Sequence, residues 1–176
     1  MDSKETLDLD VAVDRLGRGP GAVVALFDGL PDAFARWKPA SDRWSLLEVV
    51  NHLADEEVLD FRTRIERTLR DPLEPWPSIA PQEWVVERKY NARDLRESLE
   101  RFLGEREQSL EWLRTQGKAR WTNVHVHPKF GPMSAKYLLA NWIAHDILHA
   151  RQMLRLHYEH LANLVAPDKL DYAGPW

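Results

Sequence analysis

Apolar residues recur at helical spacing along four long stretches of the chain and nowhere alternate over a distance that would build a sheet. The first stretch covers about Leu7 to Leu30, with Gly17 to Gly21 and Pro20 predicting a break or bend inside it. The second begins at Ser45, a good N-cap, with Glu48 three residues on completing a capping box. Trp44 and Val49 are placed for a hydrophobic staple. Val50, Leu53, Phe61 and Ile65 then mark one stripe up to Leu69, and Pro72 ends the run. The third stretch runs from about Ala92 to Arg114, with Asn91 as cap and Asp94 in the first turn. Its stripe is Leu95, Leu99, Phe102, Leu110 and Leu113, and Arg106 falls on the same stripe. The fourth runs from about Ala135 to His157 behind a Ser134 cap.

Two connections break the pattern. Residues 71–81 hold four prolines and predict an irregular crossing. Residues 116–133 hold Gly117, Pro128, Gly131 and Pro132 around an alternating patch, Val124-His125-Val126-His127, which predicts at most a short extended piece. No internal repeat or low-complexity tract is present. Four helices with long connections predict an all-α four-helix bundle, one domain over residues 1–176 with a short C-terminal tail.

Composition narrows the function. At 176 residues the chain is long enough for a core without staples. Its formal net charge of −4, with basic residues interleaved among acids, argues against nucleic acid as a partner. No apolar run reaches the roughly 18 residues of a membrane span. The charged start, Met1 to Thr6, does not read as a signal peptide, so a cytoplasmic location is expected. The absence of cysteine excludes disulfides, thiolate metal sites and a cysteine nucleophile. Most of the eight tryptophans are read as packing.

The chemistry is concentrated on the fourth helix. At 100° per residue, Leu138, Trp142, His145, His149, Met153 and Leu156 fall within one arc about 80° wide, the face that meets the core. His145 and His149 are one turn apart in the middle of that arc, so both imidazoles can reach one ion. A third ligand has to come from another helix, and His52 sits at the edge of the apolar arc of the second. Three neutral imidazoles leave coordination positions open for water or substrate, as a catalytic site requires. The competing reading is ordinary hydrogen-bonded core histidines. His125 and His127 are read as loop residues, with a second metal pair as the alternative; His157 and His160 are read as cations suited to the end of the last helix. His145-Asp146-Ile147-Leu148-His149 also matches a His-Glu-x-x-His metalloprotease pattern with Asp for Glu, a reading set aside because the shorter Asp146 falls short of the expected base.

In this order and spacing, four segments of the chain together resemble the DinB superfamily, the DinB/YfiT-like proteins. They are Trp44-Ser45-Leu46-Leu47-Glu48-Val49-Val50-Asn51-His52-Leu53-Ala54-Asp55, Phe102-Leu103-Gly104-Glu105-Arg106, His127-Pro128-Lys129-Phe130-Gly131-Pro132-Met133-Ser134 and Trp142-Ile143-Ala144-His145-Asp146-Ile147-Leu148-His149-Ala150-Arg151-Gln152. The resemblance implies an up-down-down-up bundle, a homodimer, and a divalent ion, zinc or nickel, held by one histidine of the second helix and two of the fourth. Those positions are His52, His145 and His149. It further implies a transferase that activates a low-molecular-weight thiol, as thiol-dependent S-transferases and a thiol-dependent maleylpyruvate isomerase of the superfamily do. The alternatives are a metal-dependent hydrolase and a non-enzymatic metal- or ligand-binding bundle. In each, the partner is a small molecule. Glu56 and Asp146 are the candidate catalytic acids, with Asp55 beside them. Arg106 and Trp142 are the candidate substrate contacts, Arg106 through a carboxylate of the thiol or, failing that, in an ion pair with Glu56 or another acid. The expected pocket opens where the histidines converge, walled by Trp142, Arg106, Glu56 and parts of the 71–81 and 116–133 connections.

Overall fold

The computed structural model describes residues 7–176; the charged start read above lies outside the described residues. Four long helices make the body. They are α1 (Leu9–Phe27), a second helix built from α3 (Leu46–Glu56), a wider π turn (Glu57–Arg62) and α4 (Thr63–Arg70), then α6 (Leu95–Thr115) and α7 (Ala135–Val165). Between them lie α2 (Asp32–Ala35), α5 (Pro81–Glu87), a 3₁₀ turn (Tyr90–Ala92), and an antiparallel hairpin of β1 (Val124–His127) and β2 (Gly131–Ser134). Among the described residues, no helix is long and apolar enough to cross a membrane.

The cross-helix pairs fix the directions. Asn51 meets Ser98, Asp55 meets Arg101 and Arg62 meets Ser109, so the second helix and α6 run parallel. Gly19 lies against Asp146 and His157 reaches Leu26, so α1 and α7 run parallel. His52 meets His149 while Glu57 meets Trp142, so the second helix and α7 oppose each other. This is the up-down-down-up bundle, and the 24-residue-scale detour through α5 and the 3₁₀ turn is what lets two consecutive long helices point the same way.

Local sequence sets the helix starts. Ser45 accepts the Glu48 N–H and Glu48 accepts the Ser45 N–H, the capping box read from the sequence. Trp44 and Val49, the proposed staple, belong to the same apolar cluster. Asp94 caps α6, not Asn91. Asn91 instead accepts from Ser45 Oγ and donates to the Arg36 carbonyl, joining two loops.

Two other expectations are corrected. The first helix does not break: α1 is continuous through Gly17–Gly21. Pro20 has no N–H for the Leu16 carbonyl, a defect that would open a solvated helix. Here Arg106 Nη1 donates to that carbonyl at 2.8 Å. The last helix runs on to Val165, so His157 and His160 lie inside it. His157 Nε2 donates to the Leu26 carbonyl at 2.9 Å, and His160 stacks on Phe34. Trp112 of α6 packs against one of the apolar clusters.

The core is divided. One apolar cluster joins Val23, Phe27, the start of α3, Phe102, Met153 and Leu156. The other joins Ala12, Leu16, Phe61, Ile65, Leu113 and the start of α7. The layer between them is polar. In it Arg106, 1% exposed, donates from Nε and Nη2 to Glu57, from Nη1 and Nη2 to Asp146, and from Nη1 to Leu16. Trp142 Nε1 adds a bond to Glu57 at 2.9 Å. All four long helices thus meet on one guanidinium. Gly19 is required there, since a Cβ would stand 2.9 Å from Asp146 Oδ2.

Candidate metal centre

The three histidines expected to act together do meet, in the same polar layer. Their Nε2 atoms form a nearly equilateral triangle: His52 to His145 3.3 Å, His52 to His149 3.2 Å, and His145 to His149 3.1 Å. His52 is presented by α3 one turn inside the capping box, His145 and His149 by successive turns of α7. Trp44 lies edge-on to His52 and parallel to His149, and Phe61 packs on His145, so apolar rings hold each imidazole in place.

The donor set fits a divalent ion. Three ring nitrogens within hydrogen-bond distance of one another cannot all be N–H groups, and three lone pairs repel unless a cation lies between them. In a triangle of this size the equidistant point lies about 1.8 Å from each nitrogen (side divided by √3), slightly less than a zinc–nitrogen bond of about 2.0–2.1 Å. The triangle is therefore close to the size that a divalent ion needs, and His52, His145 and His149 would be the residues to hold it. His149 Nδ1 donates to Gln152 Oε1 at 2.8 Å, which leaves Nε2 as the free lone pair. His52 Nδ1 and Glu56 Oε1 are both buried without a hydrogen-bond partner and lie 3.9 Å apart, so Glu56 is the nearest acceptor for a His52 N–H.

Burial keeps the rings neutral. It pushes His52 down to about 3 and His145 to about 2, with neighbouring imidazoles adding to the effect, and it also lowers His149. A pH dependence follows for the metal-free protein. A histidine held below its unfolded value of 6.5 binds more protons when unfolded, so stability is fully present above that value and is lost as pH falls toward the folded one. Each of the three contributes a limiting slope of about 1.4 kcal/mol per pH unit. Urea unfolding of chelator-treated protein between pH 7.5 and 5 is expected to show this steep loss, reduced in His52→Gln. A profile identical in the two proteins would contradict it.

The triangle opens into a cleft of about 560 Å³. Glu56, Asp60 and Arg64 line it from the second helix, Gln152 from α7, Ile79 and Pro81 from the proline-rich crossing, and Phe130 from the hairpin. Both irregular connections therefore contribute to the mouth, as expected, and so does Glu56. Trp142 and Arg106 do not: both are buried behind the site on Glu57. Arg106 pairs with Glu57 and Asp146, not with Glu56. Asp146 is thereby tied to a guanidinium, and Asp55 is tied to Tyr90, Arg88 and Arg101. Burial works against the Asp55 charge, but those three donors overcome it and hold the carboxyl below its usual range. Neither acid lines the cleft.

Asp60, Arg64 and Gln152 were not picked out by sequence. Residues four apart on an α-helix drift by about 40° around the axis, so Arg64 would stand about a third of a turn away from His52. The π turn at Glu57–Arg62, with its larger number of residues per turn, takes back part of that drift, and His52, Glu56, Asp60 and Arg64 line one wall. Thr63 Oγ1 donates to the Val58 carbonyl at 2.6 Å across the wide turn. Burial, followed by the Asp60 charge and hydrogen bond, pushes Glu56 well above the usual carboxylate range; burial raises Asp60 too. Burial thus sets both carboxyls against ionisation in the wall beside the histidines. His125 and His127 do not join either group. His125 Nδ1 meets the Pro72 carbonyl, and His127 Nδ1 accepts the N–H groups of Lys129 and Phe130, closing the hairpin turn.

An up-down-down-up bundle with three convergent imidazoles at the floor of an open cleft makes this a four-helix bundle protein with a candidate metal centre. The sequence profile of the DinB superfamily matches residues 15–153, most of the chain, and the protein belongs to that superfamily. No curated protein sequence matches it. Among solved structures it is similar to YfiT from Bacillus subtilis, described as a probable metal-dependent hydrolase with an unusual four-helix bundle topology. That likeness has a TM-score of 0.77 at 16% identity and covers 91% of this chain and 93% of YfiT. It is also similar to TT2238, described as a four-helix bundle protein, with a TM-score of 0.60 at 22% identity over 84% of this chain and 99% of the other. At these identities the likenesses speak for the fold.

Proposed function

We propose that this protein is a divalent-metal-dependent hydrolase of a small molecule, with His52, His145 and His149 as the metal ligands. The observation that carries the reading is the 3.1–3.3 Å triangle of Nε2 atoms at the floor of a cleft that Glu56 and Asp60 also line. Imidazole sets of this kind suit zinc and nickel. When bound, such an ion acidifies a water molecule or polarises a substrate atom. The chain's own residues do the rest. The three imidazoles hold the centre on one side and leave the other open, Gln152 fixes the His149 tautomer, and the Glu56–Asp60 pair takes up a proton from the nucleophile and returns it to the leaving group.

The second reading is transfer of a low-molecular-weight thiol, whose sulfur must come from a cofactor because the chain has no cysteine. Arg106 offers this reading no support, since it is buried on Glu57 and Asp146. The third is ligand binding without turnover. A panel assay on zinc- and nickel-loaded protein separates them. Ester or amide turnover in water alone, lost in Glu56→Gln/Asp60→Asn, is the expected result. Turnover that appears only with an added thiol would replace it with the transferase reading.

The same reading includes a symmetric homodimer in the cytoplasm. Ile147 is 60% and Leu154 48% exposed, seven residues apart on one stripe of α7. The C-terminal tail does not cover this stripe. Its Trp176 stacks on Tyr158 and leaves both side chains exposed. Light scattering is expected to give twice the chain mass, falling to the monomer in Ile147→Glu; a monomeric wild type would reject the dimer.

A further inference from the structure

Beside the histidine cleft lies a second one, of about 650 Å³, between the proline-rich crossing and the hairpin. The two share Arg64, Ile79 and Phe130 as walls, so a molecule in one abuts the other. The second cleft is basic and flat-walled. Arg64, His127 and Lys129 line it together with Trp76 and Phe130, and no acid is among its lining residues. The Arg64 guanidinium lies 5.0 Å from the Trp76 ring centroid, and Lys129 Nζ 5.3 Å from that of Phe130. Among the described residues, the acidic partner of Arg64 is Asp60, through Nε at 2.8 Å. That contact is close but lacks hydrogen-bond geometry, and among the described residues the guanidinium donates no hydrogen bond, so its planar edge, which matches a carboxylate, is uncommitted. Burial, followed by the charges of Arg64 and His125, depresses His127, a sign of the positive field in this corner.

We infer that this cleft is the recognition subsite for an organic anion: a substrate with a flat, conjugated or aromatic body whose carboxylate is held by Arg64 and Lys129 while its reacting end enters the histidine cleft. The inference rests on the proposed reaction at the histidine centre but not on which nucleophile is used. Trp76 and Phe130 supply the faces for the flat body, and Trp76 is itself backed by the His125 ring at 4.1 Å. The hairpin thereby acquires a role that the fold alone does not require: it carries Phe130 and Lys129 to the seam between the two clefts.

The test measures binding rather than turnover, so it can fail independently of the catalytic reading. Calorimetric titration with 4-nitrobenzoate and with the neutral 4-nitrobenzamide compares charge on one flat body, in metal-loaded and in chelator-treated protein. The acid is expected to bind about tenfold tighter than the amide, the scale of one charge-assisted hydrogen bond. The preference should persist without metal and shrink to about threefold in Lys129→Glu, an exposed position. It should vanish in Arg64→Met and return in Arg64→Lys, which keeps a cation for Asp60 if the methionine variant does not fold. Equal binding of acid and amide would overturn the inference. So would a preference that disappears with the metal but survives in Lys129→Glu and Arg64→Met, since the carboxylate would then sit on the ion.

Discussion

Purified protein is expected to carry about one divalent ion per chain, and His149→Ala to carry less than about a tenth of that after dialysis, since one of only three protein ligands is gone. His149 is the most informative position because it has a defined outer partner. Its Nδ1–H is held by Gln152 Oε1, which sets the tautomer that presents Nε2 to the other two rings. Gln152→Ala should therefore retain metal but bind it about 10- to 100-fold more weakly, the usual cost of losing such a partner. Competition with a chromophoric chelator reads the affinities, and elemental analysis the stoichiometry. Equal metal content in wild type and in the His52/His145/His149 triple alanine variant would end the metal reading. Low pH mimics the mutation, because protonated imidazoles cannot ligate, so metal should be released as the protein is acidified.

The largest effect on stability is expected at Arg106. Arg106→Leu leaves Glu57 and Asp146 facing each other in the interior and the Leu16 carbonyl without a donor. Burial already pushes Glu57 up, while the two carboxylates, against the cost of burial, hold the guanidinium above its ordinary value. Removing one member of such a buried network costs about 3–5 kcal/mol, whereas replacing the network by apolar side chains of similar volume can be neutral or better. Urea unfolding of Arg106→Leu is thus expected to show a loss of that size, with much of it recovered in Arg106→Leu/Glu57→Leu/Asp146→Leu. Gly19→Ala, which forces a methyl against Asp146, should cost about 1–3 kcal/mol by overpacking. A wild-type midpoint for Arg106→Leu would mean the network contributes nothing to the fold.

Several of these features were visible before any coordinates. The Ser45–Glu48 capping box starts the second helix where its residues demand, and the arc of α7 that carries His145 and His149 faces the core as its 3.6-residue period requires. Arg106 showed itself as a charge on an apolar stripe, which a buried cation must be. Its partners could not be read, because Glu57, Asp146 and the Leu16 carbonyl reach it from three other helices. Misreadings have the same origin. Pro20 signals a helix break to any local rule, yet the helix continues because a guanidinium from α6 replaces the missing donor. His157 looked like a helix end until packing on Phe34 and the Leu26 carbonyl extended α7 beneath it.

The sequence by itself determined what depends on neighbours along one helix: the four periodic stripes, the caps at Ser45 and Ser134, and two histidines one turn apart on one face. Backbone hydrogen bonding and apolar periodicity are local, so their record is local. Only the tertiary structure decided what depends on phase and contact between elements. The π turn realigns Asp60 and Arg64 with His52, the hairpin brings Phe130 to the cleft mouth, and Trp142 turns its indole away from the pocket toward Glu57. The last of these joins a buried polar group to a partner 85 residues away, and no window along the sequence contains both.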